Sequence, residues 1–263
     1  MKWFKGLLIN LQFFTSIPIP FELPMDKAHL EKSIKTFPLL GLIQGIIYAS
    51  ILYGFLHWTP FSLLTAAFAV WLAGIMLTGG IHLDGWMDAS DAFFSYRDRE
   101  KRLEIMSDPR TGAFGVLSVI VLLSARFLFI YEVIQMIHPV SYVLIAMLPF
   151  FSKIVMGVLL LKVKPAKKEG LGTLFKQAAN ERTLVVYPIY IVILLIIAAV
   201  FLKAVIWGML FFIFVSGFIF LFLRKKISSW FGGMTGDVLG ASVEGTEVLL
   251  WMTLWLLHYF AMG

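Results

Sequence analysis

The chain has no cysteine and few charges. Without a thiol it forms no disulfide, thiolate metal site, iron–sulfur cluster or cysteine nucleophile. Charged residues make up 14% of its 263 positions, where a soluble domain carries about 25%. That is too little polar surface to cover a water-facing globule. It also lacks a phosphate-binding Walker loop and a Ser-His-Asp arrangement, and its Gly-rich pieces do not follow strands as a dinucleotide fold requires. No repeat, linker or low-complexity tract divides it, so we read 1–263 as one integral membrane domain.

Apolar residues are what the chain has in abundance. They account for 60% of it, and the mean hydropathy is +0.88. A bilayer core about 30 Å thick needs roughly 20 apolar residues per helix, and the apolar residues come in blocks of that length. Seven spans are predicted, at 37–57, 61–80, 113–137, 139–161, 184–202, 204–223 and 248–262. Residues 1–16 carry Lys2 and Lys5 and are interrupted by Asn10, Gln12, Thr15 and Ser16. They read as an amphipathic helix lying in the interface rather than as a cleavable signal peptide. The expected fold is therefore all-α, a polytopic helical bundle of about seven transmembrane helices plus an N-terminal interfacial helix. Gly41 and Gly45, just after Pro38, give a spacing of small residues that lets a neighbouring helix approach closely.

The charges are laid out asymmetrically. Of 22 Lys and Arg, 19 fall in the N-terminal segment and the long connections at 81–112, 162–183 and 224–247; Arg126, Lys153 and Lys203 are the exceptions. All 16 acidic residues except Glu132 fall in the same four segments. With seven spans these segments share one side, and the positive-inside rule makes that side the cytoplasm. The net charge of +6 is accordingly read as this bias and as contact with membrane lipid, not as nucleic-acid binding.

Candidate chemistry concentrates in that layer. Asp84, Asp88 and Asp91 stand at i, i+4 and i+7, which puts all three on one face of a helix. Such like charges repel unless something neutralises them, and a hard cation such as Mg²⁺, held by carboxylates and substrate phosphates, would do so. His82 beside them is either a base or ligand, or a satisfied interfacial residue. Next come the basic residues Arg97, Arg99, Lys101 and Arg102. Glu104 and Asp108 stand four apart as further potential ligands, and Arg110 precedes Gly112 and Gly115 where a span begins. A Gly-rich helix entrance with an arginine suits a phosphate. Thr235, Gly236, Asp237 and Gly240, followed by Glu244 and Glu247, repeat the theme before the last span. Carboxylates for Mg²⁺ beside cations for phosphate point to phosphoryl-type transfer.

Together these stretches resemble the cobalamin synthase family, the adenosylcobinamide-GDP ribazoletransferases. The resemblance rests on Phe13-Phe14-Thr15-Ser16-Ile17-Pro18-Ile19-Pro20, Phe37-Pro38-Leu39-Leu40-Gly41, the His82–Asp91 stretch, Glu104 to Gly115, Glu169-Gly170-Leu171-Gly172, and Thr235 to Ala241, in order along nearly the whole chain. Pro109 and Lys153 depart from it, standing where the family has Ser and often Arg. The resemblance implies a transferase that joins α-ribazole or its 5′-phosphate to adenosylcobinamide-GDP. It releases GMP and gives adenosylcobalamin or its 5′-phosphate, late in cobalamin biosynthesis. It implies Mg²⁺ as cofactor and a bacterial cytoplasmic membrane with the active site facing the cytoplasm. A homo-oligomer, or association with other enzymes of the pathway, would be compatible with it.

The roles that follow place Mg²⁺ on Asp84 and Asp88, with Glu104 and Asp108 as further ligands. Asp91 is a ligand or the base, with His82 beside it. Arg110, Arg97 and Arg102 neutralise the diphosphate and the departing GMP. Gly112, Thr235, Asp237 and Glu244 contact substrate or complete the metal shell. The competing reading is a membrane carrier for divalent metal or a phosphorylated solute. A carrier holds ionisable residues near the bilayer midplane, whereas the predicted span interiors here are almost free of charge.

Overall fold

The computed structural model describes residues 2–262, and each apolar block expected from the sequence is helical. In chain order the helices are α1 (Lys2–Phe14), α2 (Lys27–Lys35), α3 (Phe37–Trp58), α4 (Leu63–Thr78), α5 (Ile81–Phe94), α6 (Arg99–Ile105), α7 (Ala113–Gln135), α8 (Pro139–Lys162), α9 (Leu171–Gln177), α10 (Val186–Phe201), α11 (Val205–Trp230) and α12 (Gly236–Leu257). No strand occurs among the described residues. One isolated bridge pairs Pro165 with Met234.

Five segments are long and apolar enough to cross a membrane unaided: α3, α7, α8, α11 and Glu181–Phe201, which contains α10. Counting the bent pair α4–α5 makes six. The protein is thus a multi-pass membrane protein. The last expected span needs correcting, because the helix begins at Gly236 and not near 248. Asp237, Glu244 and Glu247 lower its hydropathy, so the sequence pattern marks only its apolar second half. Its 22 residues nevertheless pack among the other helices, with Val243, Leu250, Trp251 and Leu254 buried.

Helix α8 runs through the middle of the bundle. Leu144, Leu148, Phe150, Phe151, Met156 and Leu160 along it are buried. Lipid tails are as apolar as these side chains, so close packing rather than the hydrophobic effect holds one such helix to another. Gly41 and Gly45 supply the closest approach. A methyl group on Gly41 would collide with the Pro149 carbonyl, and one on Gly45 with the Ala146 carbonyl. The small-residue spacing therefore does the packing work expected of it.

The N-terminal segment is helical, as expected. Helix α1 packs on α2 with Ile9 and Asn10 buried. The Asn10 amide donates to the Ser33 carbonyl and to Thr36 Oγ1, both at 2.9 Å, while Ser33 donates its hydroxyl to Asn10 Oδ1. Beyond α1, the Ser16 amide donates to the Leu77 carbonyl at 2.9 Å and its hydroxyl to the Met76 carbonyl at 2.6 Å. These bonds add partners for carbonyls in the last turn of α4, where the Met76 carbonyl also accepts from the Gly79 amide at 3.2 Å.

The turn after α4 positions everything that follows. Gly79 and Gly80 both adopt left-handed backbone geometry, with φ of 61° and 79°, which residues with a Cβ reach only at a cost. The axis bends there by 85°. With 16 residues α4 rises about 24 Å, most of the way across the apolar core. We therefore take α4 as the crossing element and α5 as a separate helix that packs along α7 and α12, with Asp91 at the start of α7 and Leu83 beside Leu122.

Candidate active site

Helix α5 lies against the start of α12. The contact is tight because Gly85 leaves no Cβ to strike the backbone of Asp237, and Gly240 leaves none to crowd the backbone of His82. One result is that Asp84 and Asp88 of α5 share a field with Asp237 of α12 and with Lys167 of the 162–183 connection. Asp84 is exposed and Asp88 half-buried. Burial, then the neighbouring Asp84, Asp237 and Asp91 carboxylates, push the Asp88 carboxyl up to about 6, against the opposing pull of Lys167.

All three long connections meet here. The Met234 amide donates to the Lys164 carbonyl at 2.8 Å, and the Ala166 amide to the Met234 carbonyl at 2.9 Å. Lys167 Nζ donates to Ser107 Oγ at 2.6 Å. Thr235 caps α12 by accepting from the Val238 amide at 3.1 Å, and its hydroxyl reaches Met106 Sδ at 3.2 Å. Carboxylates from two helices and a lysine from a third segment thus influence one another where these connections meet, with Asp84 exposed and Asp88, Asp237 and Lys167 partly so. Among the described residues, no three His, Asp or Glu side chains converge closely enough to form a metal cage by themselves.

Other residues singled out in the sequence sit elsewhere or are already engaged. Asp91 accepts from the amides of Gly112 and Gly115, at 2.7 and 2.8 Å. It therefore caps the start of α7, and the Gly112 amide is not free for a phosphate. A Cβ on either glycine would strike the Asp91 carboxylate, which explains the glycines at this helix entrance. Glu104 pairs with Lys101 at 2.8 Å on the surface. Asp108 pairs with Arg110 at 2.6 Å, and hydrogen bonds from Arg110 hold its carboxyl down at about 2. The Arg110 side chain is 87% exposed. Arg102 donates to the Trp230 carbonyl at 3.0 Å and lies over the Phe93 ring, holding the end of α11. Arg97 is exposed.

Glu244 and His82 turn inward. Glu244 is buried and pairs with Arg126 of α7. His82 is buried with Nε2 at 3.2 Å from Lys153 Nζ of α8 and its ring stacked on Phe14. Buried Glu247 shares the field of both Arg126 and Lys153, and Tyr48 of α3 adjoins them. The expectation of span interiors almost free of charge is therefore overturned: two cations and two carboxylates lie buried among α7, α8 and α12. Charges at such depth persist by neutralising one another. The signal in the sequence was that Arg126 and Lys153 alone among the basic residues, apart from Lys203, break the one-sided charge layout.

These features define a polytopic membrane protein with a group of carboxylates where its long connections meet. The match to known proteins extends the definition. Residues 6–255 match the cobalamin-5-phosphate synthase (CobS) family, and the chain belongs to that family. Relatives named adenosylcobinamide-GDP ribazoletransferase occur in Geobacillus sp. (strain WCH70), 40% identical over 98% of both chains, and in Geobacillus thermodenitrificans (strain NG80-2), 40% identical over 100% of this chain and 99% of the relative. Another, from Clostridioides difficile (strain 630), is 34% identical over 97% of this chain and 98% of its own. No solved structure matches the chain.

Proposed function

We propose that the protein is an adenosylcobinamide-GDP ribazoletransferase of the bacterial cytoplasmic membrane, with its carboxylate cluster facing the cytoplasm. A ribose hydroxyl of α-ribazole, or of its 5′-phosphate, attacks the corrinoid-linked phosphate of adenosylcobinamide-GDP. One phosphate–oxygen bond forms, the diphosphate bond breaks, and GMP departs with its electron pair. Family membership supports the reaction class. The observation that carries the site is that Asp84, Asp88 and Asp237 act on one another's charge, with Lys167 opposing them, where the three long connections meet.

The donor set fits Mg²⁺. Its oxygens are hard ligands, the Asp84, Asp237 and Asp91 carboxylates add to burial in raising Asp88, and Mg²⁺ typically takes one or two carboxylates and completes its shell with water and substrate phosphate. Bound there, Mg²⁺ would neutralise charge developing on the diphosphate. Asp84 and Asp88, with Asp237 opposite, are the residues to hold it. Lys167 supplies a donor to phosphate oxygen, tethered by Ser107. Asp91, committed to two backbone amides, fixes α7 against α5 and so positions Asp88 one turn away. Orientation of this kind is a large part of catalysis by phosphoryl-transfer enzymes.

The carrier reading would look instead to the buried Arg126, Lys153, Glu244 and Glu247. Arg126 and Glu244 already pair with each other, and the family relatives carry a transferase name, so the enzyme reading stands ahead. The deciding test is turnover in liposomes of α-ribazole and adenosylcobinamide-GDP, with and without Mg²⁺, for wild type and Asp88→Ala. Metal-dependent release of GMP, lost in a folded Asp88→Ala, supports the reaction and the site. No turnover by folded wild type refutes the reaction.

A further inference from the structure

The bundle has an open side. Helices α7 and α11 both pack on α12 without packing side by side, and between them runs a cleft of about 1360 Å³ floored by α12. Its walls are apolar and face the bilayer: Val121 is 67% exposed, Phe214 73% and Phe218 65%. The volume exceeds the roughly 300–1,000 Å³ of a compact small-molecule site, and a long flexible apolar chain suits it better.

At one end the cleft meets a different surface. Trp230 borders both the cleft and a shallow polar depression formed by Arg97, Arg99 and Arg102 with Asp98 and Glu100. The Arg224-Lys225-Lys226 run on the last turns of α11 adds three more cations. Two of the basic groups lie directly on aromatic rings that form the cleft. Arg102 sits over Phe93 at 5.5 Å, and Lys226 over Trp230 and Phe222 at 5.5 and 5.8 Å. Arg102 Nε is buried with no hydrogen-bond partner. Asp98 is partly occupied in capping α6, accepting from the Lys101 amide at 2.9 Å. An apolar slot whose mouth carries this excess of positive charge is complementary to a molecule with an acyl tail and an anionic head.

We infer that the cleft holds one anionic phospholipid, with an acyl chain against the phenylalanines of α11 and its phosphate at Arg97, Arg99 and Arg102. This gives Arg97 and Arg102 a lipid phosphate as partner, in place of the substrate diphosphate expected from sequence. The site is independent of the transferase reading, because nothing in it draws on Asp84, Asp88 or Asp237.

The test is native mass spectrometry of the full chain in neutral detergent, with an equimolar mixture of phosphatidylglycerol and phosphatidylcholine of matched acyl chains. Wild type should retain one phosphatidylglycerol, in preference to phosphatidylcholine by on the order of tenfold or more. Arg97→Gln with Arg99→Gln should bring that preference close to one, and Arg97→Lys with Arg99→Lys should keep most of it, since the charge stays. Val121→Trp, which pushes bulk into the cleft from a lipid-exposed position, should lower retention of both lipids. Equal retention of the two lipids by wild type would overturn the inference, as would retention insensitive to the glutamine and tryptophan variants alike. Release of phosphatidylglycerol by millimolar inorganic phosphate would also overturn it, by showing a soluble-anion site instead.

Discussion

Arg126 on α7 and Glu244 on α12 form an ion pair with side chains only 4% and 3% exposed, inside the bundle. Breaking a buried pair costs about 3–5 kcal/mol, and for Arg126 the neighbouring Glu247 offsets part of that cost. Glu244→Ala should therefore unfold at markedly lower temperature in detergent. Arg126→Met with Glu244→Leu should recover much of that loss, as a double-mutant cycle on unfolding temperatures will show.

Helix contact at Gly41 and Gly45 leaves no room for a side chain. Gly45→Val should separate α3 from α8 and reduce yield and thermal stability. Gly54→Val, which meets only Trp58 at 3.5 Å and beyond, should be near neutral. Parallel thermal unfolding of the two variants checks this directly.

Asp91 distinguishes a capping role from a catalytic one. If it holds α7 through the Gly112 and Gly115 amides, Asp91→Ala should lose about 0.5–2 kcal/mol of stability, the usual range for a cap. Asp91→Asn, which keeps one acceptor oxygen, should lose less and retain measurable GMP release. Full loss of turnover in Asp91→Asn at unchanged unfolding temperature would show that the carboxylate itself takes part in the reaction.

Asp88 predicts a pH dependence with a definite sign. Its folded carboxyl stands at about 6 against an ordinary 3.8, so the folded state binds its proton more tightly than the unfolded one. The associated stability is fully present below about pH 3.8 and is lost as pH rises through about 6. In the absence of divalent cations, Asp88→Asn should flatten this dependence and unfold at higher temperature than wild type at pH 7. Added Mg²⁺ should raise the wild-type midpoint and leave that of Asp88→Asn largely unchanged.

Much of the architecture is legible in the sequence because membrane solvation is a blunt filter. Apolar runs of spanning length, the packing glycines and the one-sided charges each follow from local composition, and α3, α7, α8 and α11 lie where those features put them. The right-angled turn is less legible: Gly79-Gly80 marks a break but not its angle. The pairings are not legible at all. Glu244 lies 118 positions from Arg126, and no periodicity connects them, so α12 looked like a loop followed by a short span. Asp91 shares the helical face of Asp84 and Asp88 as its spacing requires, yet its carboxylate is claimed by amides 21 and 24 positions further on. Spacing reports which face a side chain occupies, and only the folded chain reports what meets that face.

The right-angled turn at Gly79 and Gly80 decides which neighbours the carboxylates have. Had α4 simply continued, Asp84 and Asp88 would stand beyond it on the same axis, away from the connections that carry Lys167 and Asp237. Turned by 85°, α5 packs instead on α7 and α12, and its carboxylates come to share their surroundings with Asp237 and Lys167. Two residues with no side chain thereby compose a site to which they contribute no chemical group.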